Sequence, residues 1–365
     1  MSDSERPIAY YITAHGYGHG VRSCDIIRAF HRLYPSVPFV LVTDLPESFL
    51  RNRLADVPFT VRSAVFDVGM YQLDSVRVDV GRTLEEAAAL SARREALVTD
   101  EMRYLRAQDV SLVVADIPSI PLEAAATVDI PCVAVGNFSW NWIYSAFINQ
   151  DPRWGDVIRM FEEGYAQSDL LLRLPFAEEM KAFPRKCDIP VVAEPGTVRR
   201  EDLAALTGAP PDRRWVLLSF SSLDWDEAAL SRVEELDDYA FFTVRPLEWE
   251  RKNIFPVDRE RILFSDVMAS VDIVVTKPGF GVLSECVVNR KPMVFVDRKD
   301  FLEYPVLERA VRRYLQHQHI SAGKLYRGEL KEALDRVLLK PMPADSPGMG
   351  GGALAARLLA ERRNV

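Results

Sequence analysis

The sequence has few cysteines, no basic surplus and no long apolar run near its start. Four cysteines occur in 365 residues. They lie far apart, with no Cys-x-x-Cys pair and no histidine at metal-ligand spacing, which argues against a disulfide framework or a zinc site. Lys and Arg number 45 against 53 Asp and Glu, whereas nucleic-acid binders usually carry a basic surplus. The apolar run Pro7 to Ala14 is too short to span a bilayer and lacks a signal-peptide cleavage site. We therefore expect a cytoplasmic protein without a transmembrane segment, a metal or a nucleic-acid partner.

The remaining composition is that of a globular α/β protein. Hydrophobic residues make up 48% and charged residues 27%, and the length suggests about two domains. Short apolar runs that alternate with helical stretches predict parallel sheets covered by helices. The predicted strands are Ile8–Thr13, Phe39–Thr43, Leu112–Ala115, Cys132–Val135, Leu170–Leu172, Trp215–Ser219, Tyr239–Val244, Arg261–Phe264, Ile273–Thr276 and Met293–Val296. The predicted helices are Ser23–Leu33, Leu84–Arg106, Asp156–Ala166, Glu227–Glu235, Val282–Asn289, Leu307–Leu315 and Ala353–Arg363.

Proline and glycine clusters predict where the domains meet. Pro195-Gly196 and Pro210-Pro211 interrupt regular structure between the two halves. We place an N-terminal domain at 1–196, a linker at 197–214 and a C-terminal domain at 215–340. A Gly/Pro turn and a terminal helix then occupy 341–365. No internal repeat of 20–50 residues is found.

Histidines and glycines follow the first predicted strand, in the loop His15-Gly16-Tyr17-Gly18-His19-Gly20. The glycines allow a ligand close to the backbone, and the helix that follows offers N–H groups to an anion. The dinucleotide fingerprint would place a glycine where Val21 stands, although Asp44 lies about where a ribose-binding acid would. A nicotinamide enzyme therefore stays open as an alternative.

A histidine at this position suits a general base, because its pKa lies near neutrality. Asp116 ends another predicted strand, and adjacent parallel strands bring their carboxyl ends together. Asp116 could therefore orient a loop histidine and stabilise its protonated form. The structural alternatives are a histidine that caps the helix and an Asp116 that caps a helix near Pro121.

A second strand, glycine turn and helix occurs at Thr276 to Glu285. Lys277-Pro278-Gly279-Phe280-Gly281 and the helix after it could hold a phosphate, although the P-loop pattern is absent. Glu285, about one turn into the helix, could accept bonds from both hydroxyls of a ribose. The alternative is a solvated first-turn glutamate.

Other polar and aromatic residues carry weaker signals. The aromatic run Asn137 to Tyr144 suits stacking on an acceptor sugar, or equally a core helix start. Asp67, Gln72, Asp74 and Asp79 form a polar loop region that could face an acceptor. The other histidines are expected to be structural, on helical or loop surfaces: His31, His317 and His319.

These motifs, taken together, resemble a known family. The first and second loops, with Phe264-Ser265-Asp266-Val267-Met268 and Ser284-Glu285, resemble the MurG-type (family 28 type) glycosyltransferases of the GT-B fold. The chain is more similar still to the glycosyltransferase-like N-terminal half of plant L-arabinokinases. The matching strings cover nearly the whole chain: Phe66-Asp67-Val68-Gly69, Asn137-Phe138-Ser139-Trp140, Leu172-Arg173-Leu174-Pro175, Arg298-Lys299-Asp300-Phe301 and Gly350-Gly351-Gly352.

The resemblance implies two Rossmann-like domains facing across a cleft, with the C-terminal helix crossing back to the first domain. It implies a metal-independent, inverting glycosyltransferase that moves a hexosyl or pentosyl group from a nucleoside-diphosphate sugar, expected to be a UDP-sugar, to a hydroxyl acceptor. No cofactor beyond this co-substrate is implied. No glycine-rich kinase phosphate loop is found, so sugar phosphorylation is not carried over.

The resemblance also assigns residues. His19 falls on the candidate catalytic histidine, Glu285 on the donor-ribose carboxylate, and Phe264 to Met268 at a strand end beside the nucleotide base. Phe301, Glu303 and Tyr304 fall near the segment that reads donor-sugar hydroxyls. The catalytic candidates are His19 and Asp116. The donor-side candidates are Gly16, Gly18, Ser219, Ser221, Phe264, Val267, Met268, Lys277, Gly279, Phe280, Gly281, Ser284, Glu285 and Glu303. The acceptor-side candidates are His15, Asn137 and Trp140.

The sequence departs from the family in two places. Asp300 and Glu303 stand in a different register from the family's Asp/Gln pair, which leaves the donor sugar open. The segment Ser219-Phe220-Ser221-Ser222 lacks the expected glycine pair, although serine hydroxyls could substitute. A sugar-nucleotide hydrolase or epimerase, and a non-catalytic sugar-nucleotide sensor, remain as alternatives. The acceptor, the choice between His15 and His19 as base, and monomer against homo-oligomer also stay open.

Overall fold

The computed structural model describes residues 6–71, 78–245, 247–258, 261–298 and 301–363. These residues form two compact units, the first from 6–71, 78–193 and 348–363 and the second from 194–347, less the gaps just given. The strands are β1 Ile8–Ile12, β2 Phe39–Val42, β3 Phe59–Arg62, β4 Leu112–Asp116, β5 Cys132–Gly136, β6 Leu170–Arg173, β7 Lys186–Asp188, β8 Arg214–Ser219, β9 Tyr239–Val244, β10 Ile254–Val257, β11 Ile273–Thr276, β12 Met293–Val296 and β13 His317–Ile320. The helices are α1 Tyr17–Leu33, α2 Glu47–Arg53, α3 Val80–Ala92, α4 Arg94–Ala107, α5 Ile120–Thr127, α6 Trp140–Ser145, α7 Arg153–Tyr165, α8 Arg200–Thr207, α9 Glu227–Glu234, α10 Phe264–Ser270, α11 Phe280–Val288, α12 Tyr304–Tyr314, α13 Ala322–Tyr326, α14 Lys331–Leu338 and α15 Gly351–Arg363.

The first unit is built on a parallel sheet of order β3-β2-β1-β4-β5-β6-β7. The order reverses between β1 and β4, which is the switch point where open α/β sheets bind ligands. Ile12 pairs with Asp116 in the ladder, and the N–H of Thr13 donates to the carbonyl of Asp116 at 2.9 Å. The loop after β1 and the side chain of Asp116 therefore leave the sheet side by side.

The second unit repeats the plan with the order β10-β9-β8-β11-β12-β13, again all parallel. Its switch point lies between β8 and β11, where Ser219 pairs with Thr276. Thr276 Oγ1 also donates to the carbonyl of Ser219 at 2.8 Å. The loops after these two strands are the ones that the sequence singled out for donor binding.

The central strands form because they are apolar on both faces. Every residue of β1, Ile-Ala-Tyr-Tyr-Ile, is buried, as is every residue of β4 and β9. Helices cover both sides of a parallel sheet, so its inner strands have no solvated face and need no polar alternation. Each unit has an apolar core of this kind against its sheet.

Helix α15 belongs to the first unit, as predicted for a C-terminal helix that crosses back. It packs along α1 with a face of small and apolar residues, and a Cβ on Gly351 would lie 2.0 Å from the carbonyl oxygen of Pro190. Arg363 is buried, and its Nε donates to Ser111 Oγ at 2.6 Å. The helix is thus fixed at both ends to the first sheet's layer.

Several predicted elements need correction. Residues 261–263 form a turn and Phe264 begins α10, so Arg261–Phe264 is not a strand. The predicted helix Leu84–Arg106 is two helices, α3 and α4, and part of the predicted linker forms α8. His317 and His319 lie on β13 rather than on a helix or loop. In the described part of the chain, no helix combines the length and apolarity needed to cross a membrane.

Candidate active site

A histidine and a carboxylate meet at the switch point of the first sheet. His19 lies in the first turn of α1, and Asp116 ends β4. His19 Nδ1 and Asp116 Oδ1 are 2.8 Å apart, and the Asp116 side chain is fully buried while His19 is 12% exposed. The contact expected from the sequence is therefore present. Asp116 is not the cap of α5, because Ser119 occupies that position.

Arg22 completes this cluster and was not predicted. It lies one turn after His19 on α1, and its Nε donates to Asp116 Oδ2 at 2.6 Å while its Nη2 donates to Oδ1. Ser23 Oγ donates to Oδ2 at 2.9 Å. Both carboxylate oxygens thus accept two contacts each, which offsets much of the cost of burying the charge.

The charges around the pair shift both pKa values. Burial raises the pKa of Asp116, but Arg22 and then His19 lower it more, so the pKa lies well below its ordinary value. Burial and then Arg22 lower the pKa of His19, and Asp116 offsets them only in part. The cluster therefore holds an ionised carboxylate beside a neutral imidazole at neutral pH, which is the starting state of a general base.

A second histidine–carboxylate pair lies in the same unit. His15 Nε2 is 3.4 Å from Oδ1 of Asp67, which is buried and also accepts from Thr13 Oγ1 at 2.9 Å and Trp140 Nε1 at 2.8 Å. Burial lowers the pKa of His15, but the hydrogen bond and charge of Asp67 raise it more, so the net pKa lies above the ordinary value. This pair favours an imidazolium.

Glycines shape the loop and support this second histidine. Gly16, the residue before α1, has φ 122°, which a side chain would strain, and its N–H donates to the carbonyl of Ala14 at 2.8 Å. Gly18 lies within the first turn of α1. A Cβ on Gly69, whose φ is +71°, would lie 2.2 Å from the His15 ring. The close approach of Gly69 fixes the position of His15.

The aromatic run after β5 belongs to the core. The Trp140 indole is 4% exposed and stacks on Tyr144 at 5.6 Å between ring centroids. Asn137 is also buried, with Nδ2 donating to the carbonyl of Pro175 at 2.8 Å and Oδ1 accepting from Arg22. The faces and polar atoms of Trp140 and Asn137 are thus occupied by other parts of the protein, and their assignment to an acceptor sugar stays a prediction. Of this group only His15, 31% exposed, reaches the surface.

The polar loop region is divided by the structure. Asp67 is the buried partner of His15, and Asp79 caps α3 by accepting from the N–H of Arg82 at 2.9 Å. Gln72 and Asp74 lie outside the described residues.

In the second unit, the predicted glycine turn leads from β11 into α11. Gly279 caps the helix without a side-chain hydrogen bond, and no acidic residue stands in the first turn. Ser284 Oγ donates to the carbonyl of Phe280 at 2.9 Å, so this hydroxyl is used within the helix. Glu285 is 7% exposed, and Asn289 Nδ2 donates to its carbonyl at 2.9 Å and approaches its Oε2 at 3.5 Å. Glu285 is therefore not the solvated glutamate of the alternative reading.

The remaining donor-side candidates lie at the carboxyl ends of β8, β11 and β12, apart from those on α10. Ser219 ends β8 and Ser221 is exposed in the loop after it, while Lys277 and Gly281 belong to the glycine turn and the start of α11. Glu303 precedes α12 and pairs with the buried Arg298 at 3.4 Å. Asp300 lies outside the described residues.

The segment assigned to the nucleotide base needs correction. Phe264, Val267 and Met268 lie on α10 instead of at a strand end. Val267 and Met268 are 0% exposed. Both residues are therefore enclosed by protein in this structure.

Comparison with known proteins shows the fold. No protein-family model matches the chain. It is 28% identical over 359 residues to an L-arabinokinase of Arabidopsis thaliana, covering 97% of this chain and 34% of that protein. The chain thus spans about a third of the length of this curated relative. Among solved structures, the glycosyltransferase of kitacinnamycin superposes with a TM-score of 0.61 at 14% identity, covering 98% of this chain and 94% of that one.

Two further structures agree. A UDP-glucosyltransferase from Polygonum tinctorium gives a TM-score of 0.61 at 13% identity, covering 98% and 93% of the two chains. S. aureus MnaA with UDP gives 0.59 at 11% identity, covering 96% and 94%. The chain has the GT-B fold. The expectations of fold and of resemblance are confirmed.

For three side chains the sequence analysis missed the role that the structure gives them. Arg22 could have been found from its i+3 spacing to His19 if the first helix had been predicted to begin at Tyr17 instead of Ser23. Asp67 was placed only in a polar loop region, because β3 before it was not predicted as a strand. Arg298 was noted only as part of a matching string, and its guanidinium stacks 3.3 Å from the Phe301 ring centroid. The described residues contain no group of three or more His, Cys, Asp or Glu side chains that could hold a metal.

Proposed function

We propose that this chain transfers a sugar from a nucleoside-diphosphate sugar, in the first instance a UDP-sugar, to a hydroxyl acceptor with inversion at the anomeric carbon. The observation that carries the proposal is the contact of His19 with Asp116 at the switch point of a GT-B sheet. The structural relatives named above support the donor class. One is a UDP-glucosyltransferase and another was solved with UDP.

His19 acts as the general base. With Nδ1–H donated to Asp116, the Nε2 lone pair is directed away from the carboxylate and can accept the acceptor's hydroxyl proton. The acceptor oxygen forms a bond to the anomeric carbon as the bond from that carbon to the diphosphate oxygen breaks. Attack opposite the leaving group inverts the configuration. The negative charge of Asp116 stabilises the imidazolium that forms.

The second unit binds the donor. The N–H groups at the start of α11 and the glycine turn before it would hold the diphosphate, and Lys277 would add a positive charge. These groups supply the charge stabilisation in a reaction that we propose to be metal-independent. Glu285 would accept bonds from the ribose hydroxyls. Glu303, Ser219 and Ser221 are the remaining polar candidates for the sugar and the diphosphate.

Ligand-induced thermal stabilisation tests the donor site. Purified protein is heated with UDP, GDP, dTDP, ATP, NAD and several UDP-sugars, in parallel with Glu285→Gln and the exposed control Glu332→Gln. A ligand at about a hundred times its Kd stabilises the fold by about 2.7 kcal/mol. We expect stabilisation by UDP species that is lost in Glu285→Gln and kept in Glu332→Gln. A response to NAD alone would contradict the proposal and favour the nicotinamide alternative.

Product analysis then separates the enzyme classes. Release of UDP that depends on an added hydroxyl acceptor, with the opposite anomer in the product, supports transfer. Release of UDP without an acceptor indicates a hydrolase, an altered sugar on intact UDP-sugar indicates an epimerase, and binding without turnover indicates a sensor.

A further inference from the structure

The position of Arg22 carries an inference beyond the histidine–carboxylate pair. Its guanidinium makes three sets of contacts. A two-pronged contact binds Asp116, Nη1 donates to Asn137 Oδ1, and Nη2 lies 2.8 Å from Nδ1 of His19. The side chain is 13% exposed, so these contacts form largely out of water.

The orientation of Arg22 is fixed from behind by Asn137. Asn137 Nδ2 donates to the carbonyl of Pro175 at 2.8 Å, so its other amide atom must be the acceptor oxygen that faces Arg22. The planar fork of an arginine cannot pivot when both of its edges are bonded. Nη2 is therefore held against the imidazole by groups on β4 and after β5.

Two groups then compete for one ring nitrogen. Asp116 Oδ1 and Arg22 Nη2 both lie 2.8 Å from His19 Nδ1. The nitrogen can donate to the carboxylate or accept from the guanidinium, but it cannot do both at once. Either neutral tautomer keeps one partner, whereas an imidazolium keeps Asp116 and sets its own charge against that of Arg22.

We propose that Arg22 is a positioning residue, locked between Asp116 and Asn137 so that its charge faces His19 and keeps the imidazole neutral between proton transfers. The charged groups that act on His19 are Arg22 on its own helix, Asp116 on β4 and Asp67 after β3. The Phe138 ring packs edge-on at 5.7 Å and carries no charge. Two carboxylates alone would favour the imidazolium; burial of the ring opposes them most, and Arg22 is the charged group that adds to this opposition.

The other histidine of the loop is an internal reference. Asp67 is bonded to His15, Thr13 and Trp140, which are a histidine and two neutral donors. Burial lowers the pKa of both rings. At His15 the charge and hydrogen bond of Asp67 outweigh burial and the net pKa is raised, whereas at His19 Arg22 adds to burial and the net pKa is lowered.

The experiment is a titration of the five histidines by NMR of the full chain labelled with ¹⁵N-histidine, each assigned by its own His→Gln variant. The variants are Arg22→Gln, Arg22→Lys and the matched control Arg32→Gln, which removes the same charge from an exposed position in the last turn of α1. Signals of His31, His317 and His319 report whether the fold is intact.

We expect the protonated fraction of His19 at about pH 6 to rise several-fold in Arg22→Gln and less in Arg22→Lys. Lysine keeps the charge but cannot make the two-pronged contact. In Arg32→Gln, His19 should titrate as in the wild type. If Arg22→Gln does not fold, a rise of the protonated fraction in Arg22→Lys but not in Arg32→Gln supports the proposal. A His19 titration in the folded Arg22 variants that equals the wild type overturns the proposal.

A kinetic arm rests on the proposed function. The acid limb of the pH–rate profile for UDP release should move to higher pH in Arg22→Gln, in parallel with the NMR titration, while the profile of Arg32→Gln stays as in the wild type. Wild-type protein that turns over no sugar nucleotide would count against the proposed function, while the titration would still test the role of Arg22. A profile that does not move although the titration does would overturn the link to catalysis.

Discussion

The two histidine–carboxylate pairs of the first unit look alike in sequence and differ in charge. Each joins a histidine that follows β1 to a buried aspartate at or beyond the end of another strand of the same sheet. The pKa of His19 is lowered by burial and then by Arg22, and that of His15 is raised because Asp67 outweighs burial. A carboxylate beside a histidine therefore does not by itself fix the charge of the ring. Burial and the other charged partner of the carboxylate also set it.

This difference assigns roles that the sequence left open. A neutral imidazole can accept a proton, whereas a protonated one can only donate or bind an anion. His19 is therefore our choice for the base, and His15 for a cationic contact at the surface of the loop. The predictions that follow test this contrast.

The largest effect is expected from removing the base. His19→Ala should lower the rate of sugar transfer by about 10²–10⁴-fold, the usual contribution of a positioned general base. His15→Ala should lower it by less than about tenfold, because that ring carries no lone pair toward the reaction when protonated. Steady-state kinetics of UDP release with an acceptor measures both. The reverse order of effects would exchange the two roles.

The next effect concerns stability. Asp116→Asn leaves the buried Arg22 without its counter-ion and should lower the free energy of unfolding by about 3–5 kcal/mol. Asp67→Asn removes a carboxylate that, besides His15, accepts bonds from neutral donors. It should lower the free energy of unfolding by about 1–3 kcal/mol. Urea denaturation at neutral pH compares the two. Equal costs would mean that Arg22 is not what distinguishes the pairs.

The smallest effect is a difference in pH dependence. A histidine whose folded-state pKa is raised stabilises the fold below its unfolded-state pKa, and this stability is lost as pH rises through the folded-state value. The free energy of unfolding of the wild type should therefore rise relative to that of His15→Gln as pH falls. A lowered pKa has the opposite effect, so the free energy of unfolding of the wild type should fall relative to that of His19→Gln as pH falls. We expect each change to be no more than about 1 kcal/mol between about pH 8 and pH 5. If the stability difference changed with pH in the same direction for both variants, the two histidines would not differ in the way we propose.

The strands that the sequence missed share one position. The predicted strands that exist are β1, β2, β4, β5, β6, β8, β9, β11 and β12, all inside a sheet. The missed ones are β3, β7, β10 and β13, which are the four edges. Edge strands are short and carry polar residues, as in Lys-Cys-Asp and His-Gln-His-Ile, so a search for apolar runs passes over them.

The site could be predicted in part for the same reason. His19 and Asp116 were found because both follow inner strands, whose ends can be placed from apolar runs. Asp67 follows the edge strand β3, and its role as the partner of His15 was not predicted. The buried faces of Val267, Met268 and Trp140 could not be foreseen either, because a short apolar run is compatible with a strand, a loop or a core helix. How deeply a side chain is buried depends on tertiary packing, which cannot be inferred from a short apolar run.

Helix α15 has a consequence for how the protein is made. The first sheet ends with β7 at Asp188, yet the helix that covers α1 begins at Gly351. At usual elongation rates a ribosome needs roughly 10–30 s for the intervening residues, long enough for the second unit to fold before the first is complete. During that interval the apolar face of α1 stays uncovered on the nascent chain. The first unit can therefore complete its fold only after the second unit has been synthesised.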